Sequence, residues 1–227
     1  MRRFIMTAGL ALAGASMLGA QTPQAKVSKE SDPTNKVAAG TLPAGWQVRL
    51  DDKDQTRYTA ADTRFVAMGN GYHVTSGPAA LYYSSTSTAP AENYTVTATL
   101  TQTKAPMHPE AYGVFVSGKD LADSEKQSYA YFLVRGTGEY MVNHRAGKDI
   151  HKIIPWTPSP AVNKADANGQ ATNTLQVKLM ADSVRFLVNG TQVGAVARDH
   201  YGSGAGFAGL RVNHNLDVHV AKFEITK

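Results

Sequence analysis

The chain contains no cysteine, so neither a disulfide nor a thiolate-bound metal can hold its fold, and no lipid anchor can form on a cleavage-site thiol. Lysine and arginine never gather into a run, although the formal charge is +5. Two of the cations, Arg2 and Arg3, stand at the extreme N-terminus. Such a diffuse excess is no nucleic-acid footprint, and no nucleic-acid partner is expected. Glutamate is scarce: Glu30, Glu92, Glu110, Glu125, Glu139 and Glu224 are all there are. Glu30 stands two residues from Asp32 in the stretch 21–41, and Glu125 two residues from Asp123 in the turn 121–128; within the expected strands no glutamate stands at strand spacing from a second carboxylate. Glycoside hydrolysis generally takes two carboxyl groups about 5–9.5 Å apart, so a pair on one strand is excluded. Glu139 and Asp149 are the one cross-strand pairing to consider, and solvated turn carboxylates are the simpler reading of both. Helical periodicity is also missing; at most a turn of helix is expected at 110–112 and 121–128.

Long apolar runs are short too. Phe4 to Leu18 is apolar or small and uncharged, falling below the roughly 20 residues of a membrane span. With the basic start before it and Gly19-Ala20 after it, residues 1–20 read as a signal peptide, and the protein as secreted or periplasmic. No membrane span is expected once the signal is removed. Residues 21–41 are rich in Gln, Thr, Pro, Lys and Ser and read as a flexible linker. The domain is expected over 42–227, with its first strand starting at Trp46.

What remains is period-2 alternation in short runs bounded by turn residues, which is the signature of β-strands. Strands are expected at Trp46–Leu50, Arg64–Gly69, Tyr72–Ser76, Ala79–Ser84, Tyr94–Thr101, Tyr112–Ser117, Tyr129–Arg135, Glu139–Arg145, Thr172–Met180, Val184–Val188, Thr191–Val196, Phe207–Asn213 and Asp217–Thr226. Asn70-Gly71 and Asn189-Gly190 have the composition of type I′ hairpin turns, and Gly136-Thr137-Gly138 joins another pair. The fold class is all-β, an antiparallel two-sheet sandwich or barrel.

Alternation also assigns faces. Ala130, Phe132 and Val134 form one apolar set, which turns Tyr129, Tyr131 and Arg135 the other way. Tyr140 and Val142 look inward while Met141, Asn143 and Arg145 look outward. Ala208, Leu210 and Val212 look inward while Gly209, Arg211 and Asn213 look outward. If these strands are neighbours, Tyr, Asn and Arg share one surface. Aromatic rings cover the apolar faces of sugars, and amides, guanidiniums and phenols bond their hydroxyls. Tyr129, Tyr131, Arg135, Asn143, Arg145, Trp156, Arg211 and Asn213 are therefore the candidate ligand-binding residues. Tyr131, Arg135 and Arg145 are expected to project from adjacent strands into one concave surface. The plain alternative is an exposed sheet face decorated with Tyr and Arg, with Trp156 packed as a lid.

Other motifs carry less. Asp51-Asp52-Lys53-Asp54 lacks the alternation and glycine of a calcium loop and reads as a solvated turn. The seven histidines show no His-x-His or His-x-x-x-His spacing, so no metal or other cofactor is expected. His144 and His151 remain candidates for acid–base work. Gly204-Ala-Gly-Phe-Ala-Gly209 matches a dinucleotide fingerprint by letter but runs into an alternating strand instead of a helix.

The stretches Tyr129-Ala-Tyr-Phe-Leu-Val-Arg-Gly-Thr-Gly-Glu-Tyr-Met-Val, Pro155-Trp156-Thr-Pro, Thr172-Asn-Thr-Leu-Gln-Val and Val184-Arg-Phe-Leu-Val-Asn-Gly-Thr-Gln-Val resemble concanavalin A-like jelly-roll domains. Laminin-G-like and 3-keto-disaccharide hydrolase-type domains are the nearest in pattern, over roughly residues 44–227. The resemblance implies two packed antiparallel sheets, one concave with a ligand groove, in an exported protein that handles glycans. The Glu-x-Asp-x-x-Glu motif of family-16 glycoside hydrolases is absent. A secreted glycan-binding jelly roll without catalysis is the leading expectation. A hydrolase or lyase of 3-keto-glycosides, with one histidine as base, is the alternative; an envelope interaction protein is a third.

Overall fold

The computed structural model describes residues 37, 40–51, 55, 57–91, 93–198 and 204–227. The expected signal peptide, nearly all of the expected linker, and Asp52–Asp54 lie outside the described residues. The strands are β1 (Trp46–Leu50), β2 (Thr63–Met68), β3 (Gly71–Ser76), β4 (Ala80–Ala89), β5 (Tyr94–Gln102), β6 (Ala111–Lys119), β7 (Ser128–Arg135), β8 (Glu139–Ala146), β9 (Asp149–Pro158), β10 (Ala171–Leu179), β11 (Ser183–Val188), β12 (Thr191–Ala197), β13 (Gly206–Val212) and β14 (Leu216–Thr226). They form two seven-stranded antiparallel sheets. Sheet 1 runs β1-β4-β13-β6-β7-β8-β9 and sheet 2 runs β12-β11-β10-β5-β14-β3-β2. The chain passes repeatedly from one sheet to the other, which makes a jelly-roll sandwich.

Alternation builds the core as expected. Ala130, Phe132 and Val134 of β7, Tyr140 and Val142 of β8, and Ala208, Leu210 and Val212 of β13 all enter the layer between the sheets. Sheet 2 answers with Val96, Leu100, Leu175, Val177, Phe186 and Val218. Phe132 and Phe186 meet across it with ring centroids 5.3 Å apart. Asn173, wholly buried, is one polar exception. Its Oδ1 accepts from Asn163 N at 2.8 Å and from Asn189 Nδ2 at 2.9 Å, which binds the 159–163 loop to the sheet.

The turns follow their chemistry, with one displacement. Asn189 and Gly190 both hold positive φ, at 50° and 82°, as a type I′ turn requires. At the first hairpin Met68 pairs with Gly71, so the loop is Gly69-Asn70, one residue earlier than expected. Gly69 supplies the positive φ there. Gly71 serves packing instead: a Cβ on it would stand 2.0 Å from the Val220 carbonyl oxygen. The expected turn of helix at 121–128 is a run of hydrogen-bonded turns, and residue 111 already belongs to β6.

Strand β9 was not read from the sequence. Pro155 and Pro158 interrupt it, its burial does not alternate, and its pairing with β8 slips twice. It is the edge strand of sheet 1, where proline is tolerated because one side needs no ladder partner.

Candidate functional site

The face of sheet 1 turned away from sheet 2 carries a second apolar layer. Leu81, Tyr83, Ala111, Phe115, Leu121, Tyr129, Tyr131 and Leu133 pack there, with Met141, Trp156 and Phe207 at the margin. Strand register makes the layer continuous. Phe115 of β6 lies opposite Tyr131 of β7, which lies opposite Asn143 of β8. Arg211 of β13 lies opposite Gly113 of β6. The three strands singled out from the sequence thus share a face, with β6 inserted between β13 and β7.

Above this layer is a cavity of about 600 Å³ lined by Asp51, Tyr131, Leu133, Met141, Asn143, Arg145, Lys148, Ile150, Arg211 and Asn213. Tyr131, Asn143, Arg145, Arg211 and Asn213 come together as the face assignment expected. Arg135 and Trp156 sit on the same face beyond the cavity, the guanidinium 4.3 Å over the indole. Arg135 is also tied to Glu139 by hydrogen bonds of 2.7 Å. Tyr129 is fully covered; it touches the cavity lining through Arg211 Nη1, 3.4 Å from its hydroxyl, and through the Tyr131 ring, 5.8 Å away between centroids. The aromatic surface is therefore packed, not displayed. Enough large apolar side chains point outward from β4, β6 and β7 that they bury one another, with Leu121 from the loop between β6 and β7 among them.

Asp51 is the residue that sequence reasoning placed wrongly. It is 3 % exposed, not solvated. Arg211 Nη1 donates to its Oδ1 at 2.8 Å and Nη2 to its Oδ2 at 2.7 Å, a bidentate pair. Burial pushes the Asp51 carboxyl up, but Arg211, with Arg145 and Arg49 behind it, outweighs burial and brings it down to about 2. Burial disfavours the Arg211 charge in turn, and Asp51 more than restores it. The same guanidinium lies 4.7 Å over the Tyr131 ring. Period 2 continued past the end of β1 places Gln47, Arg49 and Asp51 on one side, a signal that the acidic cluster masked.

Several buried polar atoms around the cavity lack a protein partner: Asn143 Oδ1, Asn213 Oδ1, Arg145 Nε and Arg211 Nε. Asn143 spends Nδ2 on the Tyr131 hydroxyl at 3.1 Å, and Arg145 spends Nη1 on the Lys148 carbonyl at 2.9 Å. Buried acceptors and donors are normally satisfied, so this cluster of unmet ones singles the cavity out as the candidate site.

The histidines considered as bases face the other way. His144 alternates with Val142 on the inner side of β8, and His151 lies opposite it on β9. Their rings are 5.9 Å apart, with Ser128 Oγ 3.0 Å from His144 Nε2. Burial, and then the nearby His151, lower the pKa of His144. Glu139 and Asp149 pair with Pro158 and Ala146, at opposite ends of the β8–β9 hairpin, so they do not approach each other.

No protein-family profile matches the chain, and no curated protein sequence matches it. Solved structures do. A carbohydrate binding module, CBM66, from Bacillus subtilis superposes with a TM-score of 0.56 at 12 % identity, covering 83 % of this chain and 98 % of that one. A glycoside hydrolase family 16 endo-glucanase from Bacteroides ovatus gives 0.56 at 8 % identity, over 79 % and 94 %. The carbohydrate recognition domain of Emp47p gives 0.53 at 11 % identity, over 89 % and 97 %. At these identities the likeness establishes the fold, a concanavalin A-like jelly-roll sandwich.

Proposed function

We propose that this concanavalin A-like sandwich is an exported carbohydrate-binding protein whose ligand lies on the outer face of sheet 1. The observation that carries the reading is the group of unpartnered buried atoms at the cavity, Asn143 Oδ1, Asn213 Oδ1, Arg145 Nε and Arg211 Nε, around the Tyr131 ring. Two acceptors and two donors at the cavity match the hydroxyls on the edge of a pyranose. Structural neighbours named for carbohydrate binding or recognition share the fold.

Binding fits this site better than two-carboxylate hydrolysis. Among the described residues the cavity's carboxylate is Asp51, and both its oxygens are held by Arg211. An ionised, bidentately paired carboxylate is a poor proton donor. Residues 1–20 serve as the export signal in this reading, and residues 21–41 as the tether.

Affinity electrophoresis of the protein through gels carrying individual polysaccharides tests the proposal. At least one polysaccharide should retard it, and Asn143→Ala combined with Asn213→Ala should reduce that retardation about tenfold or more, two hydrogen bonds being lost. If no polysaccharide in a broad panel retards the wild-type protein, the reading fails.

A further inference from the structure

We infer that the saccharide taken at this face is anionic, carrying a carboxylate or sulfate that Arg145 and the Nε edge of Arg211 receive. The inference rests on the carbohydrate reading above and narrows it. The cavity lining holds three cations, Arg145, Lys148 and Arg211, against one carboxylate, Asp51. Arg49 adds its charge from behind, with Nη1 4.0 Å from Asp51 Oδ1. Arg211 consumes the whole of Asp51, oxygen for nitrogen. Lys148 meets Glu125, and both side chains are 66 % exposed, so water screens that pair. Arg145 is held by a neutral carbonyl at Lys148 and points an unpartnered Nε into the buried space.

Positive charge is thus left over at the cavity. A neutral sugar would cover Arg145 without compensating it, and covering a guanidinium without a counter-charge is unfavourable. An anionic group supplies charge-assisted hydrogen bonds to two Nε donors whose guanidiniums are already held, Arg211 through both Nη atoms and Arg145 through Nη1. The acceptors Asn143 Oδ1 and Asn213 Oδ1 then take the hydroxyls of the same sugar. A bare anion would leave those acceptors unmet, which points to a sugar acid or sugar sulfate in place of free phosphate.

The test pairs each acidic polymer with its neutral counterpart. Polygalacturonate and alginate are compared with their carboxyl-reduced forms, and chondroitin sulfate with desulfated chondroitin, by calorimetry on the full chain. The expected result is binding to a uronate or a sulfated polymer that weakens at least tenfold on removal of the acidic group, and weakens as salt is raised. Arg145→Gln should cost roughly 10- to 100-fold, the worth of a charged hydrogen bond, with the melting temperature little changed because the bond it loses within the protein is exposed. Arg185→Gln, an exposed charge change on β11 in the other sheet, should cost nothing. Equal affinity for the acidic and neutral forms overturns the inference and leaves the carbohydrate reading standing. An equal loss in Arg185→Gln and Arg145→Gln also overturns it, because attraction is then general to the surface. If every acidic and neutral polymer fails to bind, the carbohydrate reading falls too.

Discussion

Asp51 and Arg211 lie far apart in sequence, yet they meet as a buried, bidentate pair 2.7–2.8 Å apart. Breaking such a pair leaves a charge buried without a partner, at about 3–5 kcal/mol. Asp51→Ala should therefore lower the urea unfolding free energy by about that amount. Asp51→Leu with Arg211→Met should recover most of it, because an apolar pair of similar volume has no charge to strand. The same carboxylate predicts a pH dependence. Its folded value near 2 lies below the unfolded value near 4, so its stabilisation is full above about pH 4 and is lost as pH falls towards 2. Burial raises the Asp217 carboxyl, but hydrogen bonds from His73 and Thr103 bring it below its usual value, and its loss has the same sign. Stability measured across that window should slope less steeply in Asp51→Asn than in the wild type; equal slopes would show that the pair contributes nothing to acid sensitivity. None of this was legible in Asp51-Asp52-Lys53-Asp54. A cluster of acids reads as solvated until its partner is known, and that partner comes from a strand more than a hundred residues later.

Elements were legible where local chemistry is strong. The β7–β8 hairpin follows from alternation around Gly136-Thr137-Gly138, and Arg135 does pair with Glu139 across it. With that register fixed, Tyr131 and Asn143 had to stand side by side, and the surface they share was readable from sequence alone. Strand β9 was not, because its prolines and slipped pairing erase the period that reveals a strand. The β11–β12 turn shows how much one residue holds. Asn189 adopts φ 50° and uses its side chain three times: Oδ1 accepts from Thr174 N at 2.8 Å, and Nδ2 donates to Ala161 O and to Asn173 Oδ1 at 2.9 Å. Asn189→Ala should cost about 2–3 kcal/mol, combining left-handed strain of about 1–2 with lost hydrogen bonds of about 1. Asn189→Gly removes the bonds but not the permitted φ, and should cost visibly less. Chemical denaturation of the two variants separates those contributions; equal losses would mean that the backbone conformation is not strained for alanine.

At the scale of the whole molecule, the two sheets must be held together at their edges, and order of pairing is what a single sequence conceals. Local pattern cannot say that β13 enters between β4 and β6, or that β14 enters between β3 and β5. The structure shows one device that depends on that order. Trp46, from edge strand β1 of sheet 1, packs against Phe65 of β2, Tyr72 of β3 and Phe223 of β14 in sheet 2, with ring centroids at 4.9, 5.0 and 5.8 Å. One indole thus closes the sandwich at the end opposite β9, and it does so on the inner side, away from the cavity over Tyr131. Fold and proposed site therefore load different residues. Trp46→Ala removes a large partly buried side chain and three aromatic contacts, and should lower stability by about 3 kcal/mol. In the fraction that remains folded at low temperature, saccharide affinity should be unchanged. Arg145→Gln should show the reverse, with affinity reduced and unfolding moved far less than in Trp46→Ala, since the hydrogen bond it loses within the protein is the exposed one from Nη1 to the Lys148 carbonyl. Measuring melting temperature and polysaccharide affinity on both variants places each on one axis. If Trp46→Ala altered affinity as strongly as Arg145→Gln, the outer face would depend on closure of the distant edge, and the separation of scaffold from site would be wrong.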